Sequence, residues 1–359
     1  MTDVVRVDQV RPDPAAIARA AECLRSGGLV AFPTETVYGL GVHALDRAAV
    51  RRLFAAKGRP ATDPLIVHVG SLANIAALVV DVPDAARALA ARFWPGPLTL
   101  VLPRSPLVPD EVTAGLETVA VRVPAHPVAQ ALLVAAGIPV AAPSANLFSR
   151  PSPTRAAHVL TDLNGRIDLI VDGGPTTVGV ESTVLDLSQG APTVLRPGAI
   201  TIEMIREVLP RVEARAPIRN ERGAMPSPGL LSKHYSPRAP LTLYEGAARE
   251  AIVRLIDDAG VLLGGRESVG IIAADEDREA LQRVHDVEGS RVEVRYLGSE
   301  RDAAAIASRL YAVLRDLDAS GVDQILVRGF PADGGLGIAI QDRLRRAASV
   351  VLGNRVGSE

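Results

Sequence analysis

Lys57 and Arg59 are two cations placed two residues apart, shortly before the apolar run Leu65–Val69. An extended chain turns both side chains to one side, where they can neutralise phosphate. Lys57 is also one of only two lysines among 39 basic residues, which suggests a need for a compact ammonium, with chance as the alternative. By itself such a pair is more often a solvated basic turn, so a phosphate site here is a hypothesis.

Polar side chains also follow or interrupt several apolar strands. Ser144 and Asn146 come directly after a buried run and can either contact a nucleotide or form a local turn. Arg122 and Arg196 interrupt strands that are otherwise apolar, where arginine seldom lacks a partner. Each arginine therefore either pairs with Asp or Glu or binds an anionic ligand.

The run Phe32–Gly41 carries hydroxyls and two glycines after a buried strand, which is typical of a ligand loop or of a tight turn. The phosphate-loop and dinucleotide glycine motifs are absent from the sequence, so a nucleotide must be held by scattered groups on strand ends and loops. No Cys and His cluster has zinc spacing, and no Ser, His and acid set indicates covalent catalysis. We expect no protein-held metal.

An alternation of strands and helices must position these groups. Asp13 as cap, Pro14 in the first turn and Gly27-Gly28 as a stop predict a helix over residues 14 to 25. Turns rich in Pro and Gly and short spacings predict a mixed α/β sheet. The predicted strands are Leu29 to Phe32, Leu65 to Val69, Leu98 to Leu102, Val119 to Val123, Pro139 to Ala142, Leu169 to Asp172, Thr183 to Leu187 and Thr193 to Arg196.

A second pattern begins after a segment crowded with proline and glycine. We predict a first domain over 1–209, a linker over 210–240 and a second domain over 241–359. The second domain reads as a small Rossmann-like unit. Its predicted elements are LTLY, a helix to about Ala259, VGIIA, a helix near 276 to 286, VEVRYL, a helix near 301 to 318, ILVRGF and a helix from about Ile338.

Composition supports two globular domains in a chain of 359 residues, 48% of which are hydrophobic and 22% charged. The only cysteine, Cys23, lies on an apolar helical face and is expected to be a core residue. A net charge of −2 disfavours a protein whose main task is to hold long nucleic acid. No signal core or run of about 18 apolar residues occurs, so we expect a cytoplasmic protein without membrane contact.

Taken together, these elements resemble the YrdC-like threonylcarbamoyl-AMP synthase family along residues 15 to 209. The run SPGLLSKHYSP at 227–237 and the run IAIQDRL at 338–344 resemble the signatures of its two-domain members. The resemblance implies a YrdC-like twisted mixed sheet with helices, followed by a smaller C-terminal Rossmann-like α/β domain. It therefore extends over nearly the whole chain.

The resemblance implies an enzyme that joins L-threonine, bicarbonate and ATP into threonylcarbamoyl-AMP with release of pyrophosphate. The product serves the threonylcarbamoyladenosine modification of tRNA next to the anticodon, through a separate threonylcarbamoyl transferase. Magnesium is expected to arrive with ATP, and weak tRNA binding can coexist with catalysis. Two alternatives stay open: an RNA-binding or scaffold protein, which the aromatic content of 3% disfavours, and transfer of the carbamoyl group to another acceptor.

The resemblance also assigns site residues, with Lys57 and Arg59 as the cations of catalysis. His234, from the linker, is expected to reach over the nucleotide, so that the linker acts as a lid. The expected ATP contacts are Lys57, Arg59, Asp63, Thr118, Ser144, Asn146, Ser152, Arg196 and His234. The expected threonine contacts are Thr36, His68, Arg122, Ala142 and Ser182.

Two positions depart from the pattern of the family. Asp63 stands where relatives usually carry asparagine, and its carboxylate would repel phosphate unless magnesium intervenes. Phe148 and Ser149 stand where relatives usually carry serine and glycine. We therefore expect this loop to lack the left-handed bend of a glycine and to rearrange its nucleotide contacts.

Overall fold

A computed structural model describes residues 1–214, 225, 234–284 and 291–353 of the chain. The chain divides into two compact units, Met1–Phe148 with Ser152–Leu231 and Ser149–Pro151 with Ser232–Glu359. Most of the predicted linker, including residues 227–233 of the family-like run, lies outside the described residues. The predicted domain limits at 209 and 240 stay a prediction.

The described part of the first unit contains an eleven-stranded sheet and seven α-helices, with a short 3₁₀ helix at Leu72–Ala77. Its strands are β1 Asp3–Arg6, β2 Val30–Pro33, β3 Tyr38–His43, β4 Ile66–His68, β5 Leu98–Pro103, β6 Thr118–Arg122, β7 Val140–Ala141, β8 Leu169–Asp172, β9 Thr183–Asp186, β10 Thr193–Arg196 and β11 Glu213–Ala214. Its helices are α1 Pro14–Arg25, α2 Arg47–Lys57, α3 Asp84–Phe93, α4 Asp110–Thr113, α5 Pro127–Ala136, α6 Ala156–Leu163 and α7 Ile202–Arg206.

The sheet of the first unit is mixed, as the sequence predicts. Its strands lie in the order β1-β8-β2-β3-β7-β4-β6-β5-β9-β10-β11. β6 runs parallel to β4 and antiparallel to β5, while β9 runs parallel to β5. This order places the ends of β4 and β6 beside each other, where two predicted threonine contacts stand.

Helix ends in the first unit follow local sequence signals. Asp13 caps α1 by accepting a hydrogen bond from the N–H of Ala15 at 3.2 Å, and the helix ends at Arg25 as predicted. α2 is capped in the same way by Asp46 and ends at Gly58, whose left-handed φ of 62° suits glycine. Lys57 is therefore the last residue of a helix, immediately before its C-terminal cap.

β3 narrows the interpretation of the run Phe32–Gly41, which the sequence left open between a ligand loop and a tight turn. Residues 38–43 form a strand antiparallel to β2, and only the turn before it remains loop. A Cβ at Gly41 would lie 2.8 Å from both Phe32 Cε1 and Val140 Cγ1, so this glycine makes room for neighbouring core side chains. The short edge strand β1 was not predicted either, because four largely exposed residues give little hydrophobic signal.

The described part of the second unit contains five parallel strands, β12 Leu241–Tyr244, β13 Val269–Ala273, β14 Val292–Tyr296, β15 Gln324–Arg328 and β16 Val350–Leu352. They lie in the order β14-β13-β15-β12-β16 and are joined by helices, as in other Rossmann-like architectures. The predicted helix near 276 to 286 is shorter than expected, and the three-residue strand β16 was missed. The helices are α8 Ala248–Gly264, α9 Arg278–Leu281, α10 Ala303–Ser320 and α11 Gly335–Ala347.

No helix among the described residues is long and apolar enough to cross a membrane.

Candidate active site

Arg122 is the best-defined charged group of the candidate site. It ends β6 and is buried, with 3% of its surface exposed. Its Nη2 donates to Glu35 Oε1 at 2.6 Å, its Nη1 donates to Thr36 Oγ1 at 3.1 Å, and its Nε donates to the carbonyl of Gly96 at 3.2 Å. A guanidinium has five N–H donors, so these three bonds leave one N–H on each terminal nitrogen without a partner among the described residues. Two N–H groups on neighbouring nitrogens are the number of donors that a carboxylate can accept from one guanidinium.

The turn between β2 and β3 supplies the partners of Arg122. Thr34 Oγ1 lies 2.8 Å from Thr36 Oγ1 and donates to the carbonyl of Val37 at 2.6 Å, which closes the turn. Glu35 Oε2 accepts from the N–H of Ala125 at 3.0 Å. Thr36 is therefore held beside Arg122 by its own turn.

His68 lies opposite Arg122 in the parallel pair of β4 and β6, so both side chains stand on the same face. Burial in the core, and to a lesser degree the charge of Arg122, lowers the pKa of His68 to about 3. The imidazole is therefore neutral at physiological pH. Its buried Nδ1 has no hydrogen-bond partner among the described residues, which suits a polar ligand group.

Ser182 joins two further polar side chains just before β9. Its Oγ lies 2.8 Å from Thr99 Oγ1 and accepts from Arg196 Nη2 at 3.1 Å, while its carbonyl accepts from Arg196 Nε at 3.1 Å. All three residues are at least 97% buried. Ser182 and Arg196, predicted for threonine and for ATP respectively, are thus in direct contact.

Lys57 points into the loop that carries Ser144 and Asn146. Its Nζ donates to the carbonyl of Ser144 at 2.5 Å and also to the carbonyl of Asn146, while its own carbonyl accepts from the N–H of Phe148 at 2.9 Å. The lysine is 99% buried. The structure therefore brings three predicted ATP contacts together and makes Lys57 a fixed part of the loop's geometry.

Arg59 and Asp63 form a buried ion pair, with 2.9 Å between Arg59 Nη2 and Asp63 Oδ2. Arg59 also donates to the carbonyls of Asp63 and Pro64 at 3.1 and 2.8 Å. The expected repulsion between Asp63 and phosphate is therefore offset by a guanidinium of the same turn.

The loop after Asn146 corrects a second expectation. Ser149 adopts the left-handed conformation, with φ of 65°, although it is not glycine. The bend predicted to be lost is therefore kept, at a steric cost to a residue with a Cβ. Beyond it, Ser152 is fully buried and donates to Glu181 Oε1 at 2.5 Å.

The remaining predicted residues are placed less directly. Ala142 follows β7, and its N–H donates to the carbonyl of Ile66 at 2.9 Å. Thr118 begins β6, about 13 Å of extended strand from Arg122, so the structure does not bring these two together. His234 belongs to the second unit, where its N–H donates to the carbonyl of Arg346 at 3.0 Å and its ring packs edge-on against Tyr235. The lid role of His234 stays a prediction.

Sequence reasoning missed Glu35, Glu181 and Thr99 as members of the site. Each is buried and hydrogen-bonded to a predicted site residue 29 to 87 positions away in the chain. Two acids next to Thr36 and Ser182 were a visible signal, but only the fold shows which arginine or serine each one contacts. Among the described residues, no group of His, Cys, Asp and Glu side chains could hold a metal ion.

Comparisons with known proteins agree over nearly the whole chain. A family model named Sua5_yciO_yrdC, described as telomere recombination, matches residues 22–198. A second model, described as the C-terminal domain of threonylcarbamoyl-AMP synthase, matches residues 200–349.

Two curated relatives match this chain over nearly their whole length. The chain is 44% identical to the threonylcarbamoyl-AMP synthase of Bacillus subtilis, over 95% of each chain. It is 44% identical to that of Pyrococcus abyssi, over 97% of this chain and 98% of the relative. The crystal structure of P. abyssi Sua5 with L-threonine superposes with a TM-score of 0.90 at 41% identity, covering 99% of this chain and all of the other.

Proposed function

Because the chain belongs to the threonylcarbamoyl-AMP synthase family, we propose that it makes L-threonylcarbamoyl-AMP from L-threonine, bicarbonate and ATP. It is an AMP-transferring enzyme, and its product serves threonylcarbamoyladenosine formation in tRNA. We propose the roles of the individual residues as well.

The reaction needs two bond-forming steps. The threonine ammonium and bicarbonate condense to a carbamate, with loss of one water and one proton. A carbamate oxygen then attacks the α-phosphorus of ATP, the bond from that phosphorus to the bridging oxygen breaks, and pyrophosphate leaves. Such a transfer depends on positioning and charge neutralisation rather than on a covalent nucleophile.

The observation that carries the proposal is the hydrogen bonding of Arg122. Its guanidinium is buried and donates to three acceptors in the part of the chain that the structure describes, which leaves one N–H on each terminal nitrogen. We propose that these two N–H groups bind the carboxylate of threonine. Thr36, the neutral ring of His68, Ser182 and the backbone at Ala142 then surround the rest of the amino acid.

At the nucleotide end, Lys57, Arg59 and Arg196 would offset the charge of the triphosphate. The contacts of Lys57 with the carbonyls of Ser144 and Asn146 support this role, because they keep three predicted ATP contacts in one place. Thr118, Ser152 and His234 would add nucleotide contacts. Their roles rest on family resemblance alone.

Magnesium would enter as part of the nucleotide substrate rather than on a site of the protein. Asp63, the carboxylate among the predicted ATP contacts, is engaged by Arg59 and does not fit a role as a magnesium ligand in this arrangement. The metal would supply further neutralisation of the phosphates. Bicarbonate, tRNA and the downstream threonylcarbamoyl transferase belong to the proposal through the reaction and its product.

Pyrophosphate release tests the function directly. Purified protein is mixed with MgATP, and the release is measured with threonine and bicarbonate together, with each alone, and with serine or valine in place of threonine. We expect release only when both co-substrates are present and the fastest release with threonine. Release without threonine, or RNA binding without release, would instead favour the alternative acceptor or the scaffold protein.

A further inference from the structure

Glu35 is a buried carboxylate of the site to which the proposed reaction assigns no task. Its side chain is 10% exposed, and that of its partner Arg122 is 4% exposed. The geometry points to Glu35 as a positioning residue, which holds the Arg122 guanidinium so that its two remaining N–H groups face the carboxylate of the amino acid. This inference rests on the proposed function, in which Arg122 binds that carboxylate.

Both oxygens of Glu35 are tied to the end of β6. Oε1 accepts from Arg122 at 2.6 Å, and Oε2 accepts from the N–H of Ala125, three residues further along the chain, at 3.0 Å. The main chain of Glu35 is held as well, since its carbonyl accepts from the N–H groups of Val178 at 2.8 Å and Thr177 at 3.2 Å. Both the side chain and the main chain of Glu35 are therefore held in place where Glu35 contacts Arg122.

The hydrogen bond that Arg122 donates to Glu35 should be the strongest of the three described here. It is the shortest of them and joins two charges, whereas the bonds to Thr36 and to Gly96 are longer and use neutral acceptors. A charge-assisted hydrogen bond is about twice as strong as a neutral one. Loss of Glu35 should therefore free Nη2 of Arg122 from its fixed partner. The two N–H groups that a carboxylate needs would then no longer be held in one orientation.

Removal of Glu35 also has a second effect, which would strengthen binding. Without the negative charge of Glu35, the guanidinium of Arg122 would attract any anion more strongly. If this effect were the larger one, threonine would bind more tightly without Glu35. The two effects thus predict changes of opposite sign, and a binding experiment separates them.

The experiment measures the dissociation constants of L-threonine and L-threoninamide by calorimetry, for the wild type and for Glu35→Ala, Glu35→Gln and Arg122→Ala. The amide lacks the carboxylate charge but keeps the rest of the ligand. We expect the wild type to prefer threonine by about tenfold or more, and Arg122→Ala to remove the preference. Glu35→Ala should reduce it to about threefold or less. Glu35→Gln should be intermediate, because its amide oxygen can accept from Arg122 whereas its amide nitrogen cannot accept from Ala125.

A merely structural role would weaken both ligands by the same factor and leave the preference intact, and that result overturns the inference. A tighter threonine complex in either Glu35 variant also overturns it. Asp277→Asn is the matched control, because it alters a buried arginine and carboxylate pair of the second unit, Arg328 with Asp277, and should keep the wild-type preference. If Glu35→Ala fails to fold, the preference of Glu35→Gln for threonine over threoninamide tests the inference by itself. If instead Arg122→Ala keeps the preference, the proposed role of Arg122 fails together with the inference.

Discussion

The two ends of the proposed site are built in different ways. At the phosphate end, Arg59 meets its carboxylate partner Asp63 four residues later, and Lys57 is the last residue of α2. At the amino-acid end, Arg122 meets Glu35 and Thr36, which lie 87 and 86 residues earlier. The pair of Arg59 and Asp63 can therefore form within one local turn, whereas the Arg122 cluster, like the contacts of Lys57 with Ser144 and Asn146, depends on distant parts of the chain being brought together.

Lys57→Ala should have the largest effect, because it removes both a buried ammonium and its two hydrogen bonds to the carbonyls of Ser144 and Asn146. We expect the rate of pyrophosphate release to fall by about 100-fold or more, the usual effect of losing an electrostatic donor. Steady-state kinetics with the purified variant measures it. Arg51→Ala is the matched control, since Arg51 is on the same helix, is exposed, and pairs with Glu111. Turnover of Lys57→Ala within a few-fold of the wild type would place Lys57 outside the catalytic step.

This difference between the two ends also explains what sequence reasoning could predict. The α/β class, the helix at 14 to 25 and eight strands of the first unit follow from caps and from runs of apolar residues, which are local signals. Arg122 was recognised as a strand arginine of a kind that seldom lacks a partner, either an acid or an anionic ligand. The identity of that partner, Glu35, depends on the order of strands in the sheet, which local sequence does not contain.

Gly41 and Ser149 give two further examples from backbone geometry. The sequence left the run that contains Gly41 open between a ligand loop and a tight turn, and the structure shows that this glycine makes room for packing between β2 and β7. Ser149 was expected to lose a left-handed bend, yet it adopts that bend as a serine. For Gly41, residues distant in sequence determine what the residue does.

Arg122→Ala should separate the two ends by substrate. We expect the KM for threonine to rise about 10-fold to 100-fold, because a charge-assisted carboxylate contact is lost, while the KM for ATP changes by less than about threefold. Initial rates measured against each substrate in turn give both values. The reverse order would move Arg122 to the nucleotide and erase the distinction between the two ends.

His68 should make the amino-acid end sensitive to acid. Its pKa in the folded protein, about 3, lies below the ordinary value near 6.5, so the neutral form is favoured by folding. The resulting stability is present above pH 6.5 and is lost as the pH falls toward 3. Between pH 7.5 and 5 we expect this one group to cost about 2 kcal/mol.

Urea unfolding of the wild type and of His68→Asn at the two pH values measures this loss. The variant should lose less stability on acidification, whatever its stability at pH 7.5. His43→Asn, a change at a partly buried histidine, is the control and should follow the wild type. Equal acid losses in wild type and His68→Asn would show that His68 is not sealed from water.

Ser149→Gly should have the smallest effect and the opposite sign, because it stabilises the protein. A residue with a Cβ at a left-handed φ carries a steric cost of about 1–2 kcal/mol, which glycine avoids, while glycine loses part of that gain through the greater entropy of its unfolded chain. We expect the free energy of unfolding to rise by about 0.5–1 kcal/mol in urea titrations.

Ser149→Ala keeps the Cβ and should give no gain. A gain from both variants would trace the effect to the serine hydroxyl, and a gain from neither would show that the bend carries no strain. Turnover of Ser149→Gly should stay within about twofold of the wild type, because the bend that leads to Ser152 is already present with serine.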